Sequence, residues 1–442
     1  MRKLKQLFLT SQFFYSLLGV AAFFTVSFFI KGLFVVAWIV FWLWMAVLIF
    51  DFILLFAGKG RIEITRIYPE KLSNGDENPM KLLVHSFYPF ATVVEVLEEF
   101  PVQLQLRGKE FLTQLPANQH TEISYFMRPT QRGIYQFGRC MALVMRFGFF
   151  KRRFITNQEQ EIPCYPSYIQ LRKYQLLATS NRLNEMGIKR IRRIGSAMEF
   201  DHVREYVQGD DYRHMNWKAS AKVKKLMVNQ YEEEKSQPIY SFIDLGRAMR
   251  MPFHGLTLLD YAINASLVLS NATILKQDRA GLLTFSKEMN AFIAAEKRNN
   301  QMHKISEALY QITTKFDESE FGKLYSYANA HINKRSLIFL YTNFETLDSL
   351  KRQMGYLTML NRSHIIVVIV FKNVEVEDLA KSSPKKTIDI YNQIIAEKFI
   401  YEKQLIVQEL IRNGFQTIYT APENLTINSI NKYLEIKARG LI

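Results

Sequence analysis

Two long apolar runs without a charge stand near the start of the chain. Residues 13–30 read FFYSLLGVAAFFTVSFFI and residues 32–50 read GLFVVAWIVFWLWMAVLIF. Each comes close to the ~20 residues that cross a ~30 Å hydrocarbon core as a helix. The pattern predicts a transmembrane hairpin within residues 1–60, with helices at about 13–30 and 32–57 and a tight turn at Lys31-Gly32. Past Arg61 the period changes to short alternating stretches, RIEITRIY, KLLVHSF and ATVVEVLEEF, broken by turn clusters such as Ser73-Asn74-Gly75-Asp76. This alternation predicts an all-β, sandwich-like domain over residues 61–166.

Residues 167–236 are polar and basic, with no helical amphipathicity, and read as a connector. From 237 to 442 apolar runs alternate with helical patterns. Strands are expected at Ile239–Asp244, Gly281–Phe285, Leu337–Tyr341, Ile365–Phe371 and Thr417–Tyr419, with helices between them, the longest over Thr387–Asn413. That rhythm belongs to a doubly wound, Rossmann-like α/β domain with a parallel sheet. Such sheets place ligands beyond the carboxyl ends of their strands, so the segments after Asp244, Tyr341 and Phe371 are where a site is sought.

Charge orients the hairpin. Arg2, Lys3 and Lys5 precede the first span and Lys59, Arg61 and Arg66 follow the second, which puts both ends of the hairpin in the cytoplasm. A second apolar run follows the first at once, with no small-residue cleavage pattern between them, so the first run reads as a retained span rather than a signal peptide. Trp38, Trp42 and Trp44 fall inside the second run and are expected to pack on the first helix; Asp51, near its cytoplasmic end, is expected to reach the headgroups.

The remaining composition narrows the classes. Two cysteines, Cys140 and Cys164, exclude a disulfide framework and a zinc site built on thiolates. A formal net charge of +16 suits an anionic lipid surface as well as nucleic acid, but no nucleic-acid motif accompanies it and none is expected to bind. There is no GxxxxGK[ST] and no GxSxG, so ATP hydrolysis and serine-type hydrolysis have no machinery here.

Residues 195–221 carry a long signature, EFxxxREYxxGDDxRxxxWxASA preceded by a glycine: Gly195, Glu199, Phe200, Arg204, Tyr206, Gly209, Asp210, Asp211, Arg213, Trp217, Ser220 and Ala221. It resembles the DUF58 family, and with the hairpin and the alternating strands the resemblance covers essentially the whole chain. It implies a bacterial inner-membrane protein whose C-terminal domain is von Willebrand factor A-like and which works beside a MoxR-type AAA+ ATPase in protein assembly or remodelling. Other membrane or von Willebrand A proteins are further implied partners.

Domains of that kind commonly hold Mg²⁺ through Asp-x-Ser-x-Ser after the first strand, because a hard cation takes oxygen ligands. Here the segment is Asp244-Leu245-Gly246-Arg247-Ala248: the carboxylate stays and both hydroxyls are gone. Asn343 stands where an acidic residue often follows a later strand, and Arg247 brings a like charge toward any cation. A degenerate, metal-free site is expected at Asp244, Gly246, Ala248 and Asn343, with Asp244 capping the following turn.

Within the signature, Asp201, His202, Asp210 and His214 have the side chains of a metal-dependent hydrolase but no HExxH spacing. The blander reading pairs Asp210 and Asp211 with turn amides or with Arg204 and Arg213, and packs Trp217 as a local core anchor. A third reading makes Arg213, Trp217 and Lys218 a docking surface. The basic run Lys189, Arg190, Arg192 and Arg193 is expected to be solvated or to touch headgroups or an acidic partner, with nucleic acid a third choice that no motif accompanies. The leading expectation is a non-enzymatic membrane scaffold without cofactor; the alternatives are the hydrolase and an adhesion-type receptor, which the flanking charges oppose.

Overall fold

The computed structural model of this protein describes residues 6–30, 32–56, 60–106, 109–156, 159–167, 169, 171–172, 198–233, 236–298, 300–312, 314, 316–383 and 386–441. The basic run at 189–193 and Gly195 lie outside the described residues, as do the side chains of Glu199, Phe200 and Asp201. The chain divides into two compact units, Met1–Tyr165 and Pro166–Ile442.

In the first unit, a short strand β1 (Leu7–Leu9) leads directly into helix α1 (Ser11–Phe29), which is followed by α2 (Leu33–Phe56). Both helices are long and apolar enough to cross a membrane. Trp38 and Trp44 pack on α1 as expected: the Trp38 ring lies 5.8 Å from Phe24, and Trp44 Nε1 donates to Ser16 Oγ at 3.1 Å. Trp42 instead turns outward against its neighbour Phe41.

The ten strands that follow are β2 (Ile62–Ile67), β3 (Leu72–Ser73), β4 (Asn78–Ser86), β5 (Thr92–Glu98), β6 (Glu110–Leu115), β7 (His120–Met127), β8 (Gly133–Phe137), β9 (Cys140–Met145), β10 (Phe150–Thr156) and β11 (Gln160–Tyr165). They form sheets of order β1-β10-β9-β5-β6, β2-β4-β7 and β3-β11-β8. Alternate residues of β2, β4, β5 and β9, among them Ile64, Leu82, Val94 and Val144, point into one shared core, which is what period-2 patterning requires.

No boundary falls at residue 60. β1 joins the sheet by pairing Leu7 with Arg152 and Leu9 with Phe150, and Leu55 and Phe56 at the end of α2 lie in the β core. Asp51, expected to turn toward headgroups, is instead covered by protein. It is fully buried, facing the backbone of Phe147, Phe149 and Phe150. One side of the last turn of α2, with Asp51, Leu55 and Phe56, is thus covered by protein while Ile53 stays exposed, a fact no helix periodicity contains.

The second unit contains a two-stranded hairpin, β12 (Met198–Glu205) and β13 (Met227–Glu233), enclosing a short helix α3 (Trp217–Val223). Within the segment expected as a connector, residues 198–233 are therefore structured. A six-stranded sheet follows, built from β14 (Pro238–Asp244), β17 (Arg279–Phe285), β18 (Met289–Glu296), β19 (Leu337–Tyr341), β20 (Ile365–Phe371) and β21 (Gln416–Thr420); β15 (Pro252–Phe253) and β16 (Leu256–Thr257) pair as a small ribbon. The order is β18-β17-β14-β19-β20-β21, parallel throughout except for the edge strand β18.

Helices cover both faces. α4 (Leu258–Leu275), α5 (Gln301–Tyr310) and α10 (Leu425–Ala438) bury one, with Ile239 and Ile243 of β14. α6 (Phe321–His331), α7 (Leu347–Ser363) and α9 (Thr387–Arg412) bury the other, with Tyr240 and Phe242; α8 (Val374–Lys381) precedes α9. α4 is apolar and long enough to cross a membrane, yet most of it is buried in the protein, because it is the central helix of a sheet face. Thr257 and Asp260 close a capping box at its start.

Candidate functional site

β14 pairs with β17 on one side and β19 on the other, so the strand order reverses between β14 and β19. A crevice opens beyond the carboxyl ends of strands at such a point. Asp244 ends β14, and Thr342 and Asn343 follow β19, on the two sides of an open groove of about 390 Å³.

Asp244 is 3% exposed, and its carboxylate accepts from three protein donors. Oδ1 accepts from the Gly246 amide at 2.8 Å and from the Ser319 hydroxyl; Oδ2 accepts from Thr342 Oγ1 at 2.6 Å. Burial pushes this carboxyl above its usual range, against the pull of the Ser319, Thr342 and Gly246 hydrogen bonds. Gly246 is required here, since a Cβ would sit 2.0 Å from Ser319 Oγ and 3.2 Å from the Asp317 carbonyl. The expected turn-capping role of Asp244 is present in its bond to Gly246. Two hydroxyls absent from the local motif come instead from distant loops: Ser319 precedes α6, and only Thr342, next to Asn343, carried a signal of place in the sequence.

Asn343 is engaged on both ends. Its Nδ2 donates to the Ala248 carbonyl at 3.1 Å, and its Oδ1 accepts from Lys403 Nζ at 2.7 Å. Lys403 projects from α9, is 3% exposed, and also donates to the Phe344 carbonyl. Burial lowers its amine to about 8, with Glu345 opposing. Sequence reading missed Lys403, which lies 60 residues from Asn343 on a helix that reads as ordinary. A divalent cation takes about six oxygens. The Asp244 oxygens already accept three hydrogen bonds, the Asn343 oxygen faces an ammonium, and Arg247 lines the groove. Among the described residues no group of three or more His, Cys, Asp and Glu is placed to hold a metal. As arranged, these residues do not fit a divalent cation.

The signature spans the β12–β13 hairpin. Arg204 Nη2 meets Asp210 Oδ1 at 2.6 Å, and Asp210 Oδ2 accepts from the Val207 amide at 3.0 Å, closing a turn in which Gly209 has φ +114°. That φ is strained for any L side chain. Asp211 Oδ1 accepts from the Arg213 amide at 3.0 Å. Asn216 caps α3 through Ala219 N at 2.9 Å, and Ser220 Oγ both donates to the Asn216 carbonyl and accepts from Met227 N, each at 2.8 Å. Tyr206 N donates to the Leu226 carbonyl. Asp210 thus pairs with Arg204 and a turn amide, while Asp211 takes the amide of Arg213 rather than its guanidinium.

Trp217 is not a core anchor. It is 70% exposed, beside Tyr212 at 71%, with Val207, Val223 and Leu226 exposed on the same hairpin. Among the described residues the ribbon of β12 and β13 pairs with no further strand, and α3 leaves the ring in solvent. His202 and His214 do not join Asp210 in a metal cluster.

Residues 202–386 match the sequence model of the family described as "Protein of unknown function DUF58". No curated protein matches the chain. Among solved structures, it is similar to an aerotolerance-related membrane protein from Bacteroides fragilis carrying multiple mutations to serines, at 12% identity over 46% of this chain and 100% of that one, with a TM-score of 0.28. It is similar also to the conserved hypothetical protein BatB from Bacteroides thetaiotaomicron, at 11% identity over the same shares and a TM-score of 0.29. Scores this low carry no argument about the present fold. The match over residues 202–386 takes in most of the hairpin of β12 and β13 and the sheet through α8, and over that region the chain is similar to the DUF58 family.

Proposed function

We propose that this protein is a non-enzymatic, membrane-tethered adaptor that presents a von Willebrand A-like α/β domain in the cytoplasm and docks a partner on the signature hairpin. One observation carries the reading. The polar signature residues are spent on holding the hairpin, while Trp217 and Tyr212 stand in solvent among Val207, Val223 and Leu226. Trp, Tyr and Arg are the side chains that anchor interfaces, and Arg213 and Lys218 lie beside them, both exposed. The six-stranded sheet with helices on both faces and Asp244 at its switch point supports the von Willebrand A-like assignment.

The family resemblance makes a MoxR-type AAA+ ATPase the partner, in a bacterial inner membrane with both ends of the hairpin cytoplasmic. Energy for remodelling comes from that partner. The Asp244 face works without metal, its carboxylate held by Ser319, Thr342 and Gly246. The hydrolase alternative is less well supported, because Asp210 is committed to Arg204 and Val207.

A photo-crosslinking residue in place of Lys222, exposed on the same short helix as Trp217, in the full-length protein in native membranes, tests the docking reading. The expected adduct is an AAA+ ATPase, lost on Arg213→Glu, while Trp217→Ala leaves the unfolding free energy unchanged within the ~0.5 kcal/mol usual for surface sites. Repeated absence of an AAA+ ATPase from the adducts sinks the partnership.

A further inference from the structure

The two ends of the β-rich unit differ in chemistry. α2 has 24 residues, and about 20 residues fill a ~30 Å hydrocarbon core, which places the cytoplasmic boundary near Asp51 and Phe52 when counted from Leu33. At that height α2 meets the β9–β10 turn: the Phe50 ring lies 6.2 Å from Phe147. α1 meets the same turn where it begins, for Thr10, its N-cap, donates through its amide to the Phe149 carbonyl at 3.2 Å and through Oγ1 to the Gly148 carbonyl. Both helices therefore cross the boundary at the level of residues 146–149.

The side chains at that level suit a headgroup layer. Phe147 is 47% exposed. The Arg146 guanidinium lies 5.6 Å from the Phe147 ring and 5.5 Å from Phe90 on the β4–β5 turn, and donates to the Ala91 carbonyl. Among the described residues Arg146 has no carboxylate partner. An exposed aromatic ring and an uncompensated guanidinium at one depth match the interface, where rings sit among headgroups and Arg takes phosphate through paired N–H donors.

We propose that the β4–β5 and β9–β10 turns form a footing in the headgroup layer, with Phe147 at the hydrocarbon boundary and Arg146 on the phosphate of anionic lipids. The footing holds the β-rich unit against the membrane at a second point beyond the helices themselves. It rests on the two helices spanning the bilayer.

The test uses the full-length protein with a single nitroxide, in vesicles of phosphatidylcholine alone or mixed with phosphatidylglycerol. Labels go at Phe147→Cys, at Val102→Cys, which is 90% exposed just beyond the opposite end of β5, and at Leu43→Cys on α2. Cys140 and Cys164 are buried. The expected result is a label at 147 several-fold less accessible to an aqueous nickel quencher than one at 102. In phosphatidylglycerol vesicles Arg146→Glu should raise that accessibility. Equal accessibility at 147 and 102, with 43 still deep, overturns the footing. Immersion at 147 that ignores both phosphatidylglycerol and Arg146→Glu overturns the anionic-lipid assignment. An accessible label at 43 overturns the spanning of the helices instead.

Discussion

Buried charge in this protein is handled residue by residue. In the β-rich unit Arg66 and Glu98 pair at 3.0 Å with side chains 3% and 0% exposed, and Tyr125 Oη donates to the same carboxylate at 2.6 Å. Breaking such a pair leaves an uncompensated buried charge, so the cluster selects one arrangement of β2, β5 and β7. His364, at the end of α7, is handled the other way. It is buried, and desolvation lowers its pKa below the ordinary 6.5, so the neutral ring is the folded form. The folded state then binds fewer protons than the unfolded state as pH falls through 6.5, and stability is lost on acidification. The thermal midpoint should fall more between pH 7.5 and 5 in the native protein than in His364→Gln. Equal falls would show that His364 does not contribute to acid sensitivity.

At the scale of elements, the junction of α2 with the sheet is the decisive feature. Arg152 of β10 is 8% exposed and donates to the Leu55 carbonyl at 2.7 Å, and Tyr88 Oη donates to the same carbonyl at 3.2 Å. A cation and a hydroxyl thereby satisfy the Leu55 carbonyl near the end of a helix whose own last turn contains no basic residue. Arg152→Met should cost on the order of 2 kcal/mol, the upper range for a partly buried cation at a helix C-terminus. Hydrogen exchange should quicken across the last turn of α2 while the α/β unit is unchanged; unchanged exchange there would remove Arg152 from the role. The signature hairpin shows the opposite economy. Its polar groups satisfy one another locally, which leaves its aromatic residues outward and available.

On the whole-molecule scale, Met1–Tyr165 and Pro166–Ile442 each enclose cores of their own. Residues 166–442 expressed alone are expected to be soluble and to melt cooperatively, because a sheet with both faces covered does not depend on the first unit. Aggregation, or a far-ultraviolet spectrum without α/β content, would contradict this. The sequence by itself determined the two apolar helices, the alternating strands and the β/α rhythm, since each follows from a local period: unbroken apolar length, period 2, or apolar runs such as IIVVIV between helical segments. It determined the family region too, through the spacing of Arg204, Asp210, Asp211 and Trp217. Only the tertiary structure decided where the period stops mattering. It drew the end of α2 into the β core, placed Ser319 and Thr342 on Asp244, set Lys403 against Asn343, and left Trp217 exposed. Each of those outcomes depends on contacts between residues far apart in the chain, and burial at such a site is set by which layers meet, a property that no local pattern of apolar and polar residues encodes.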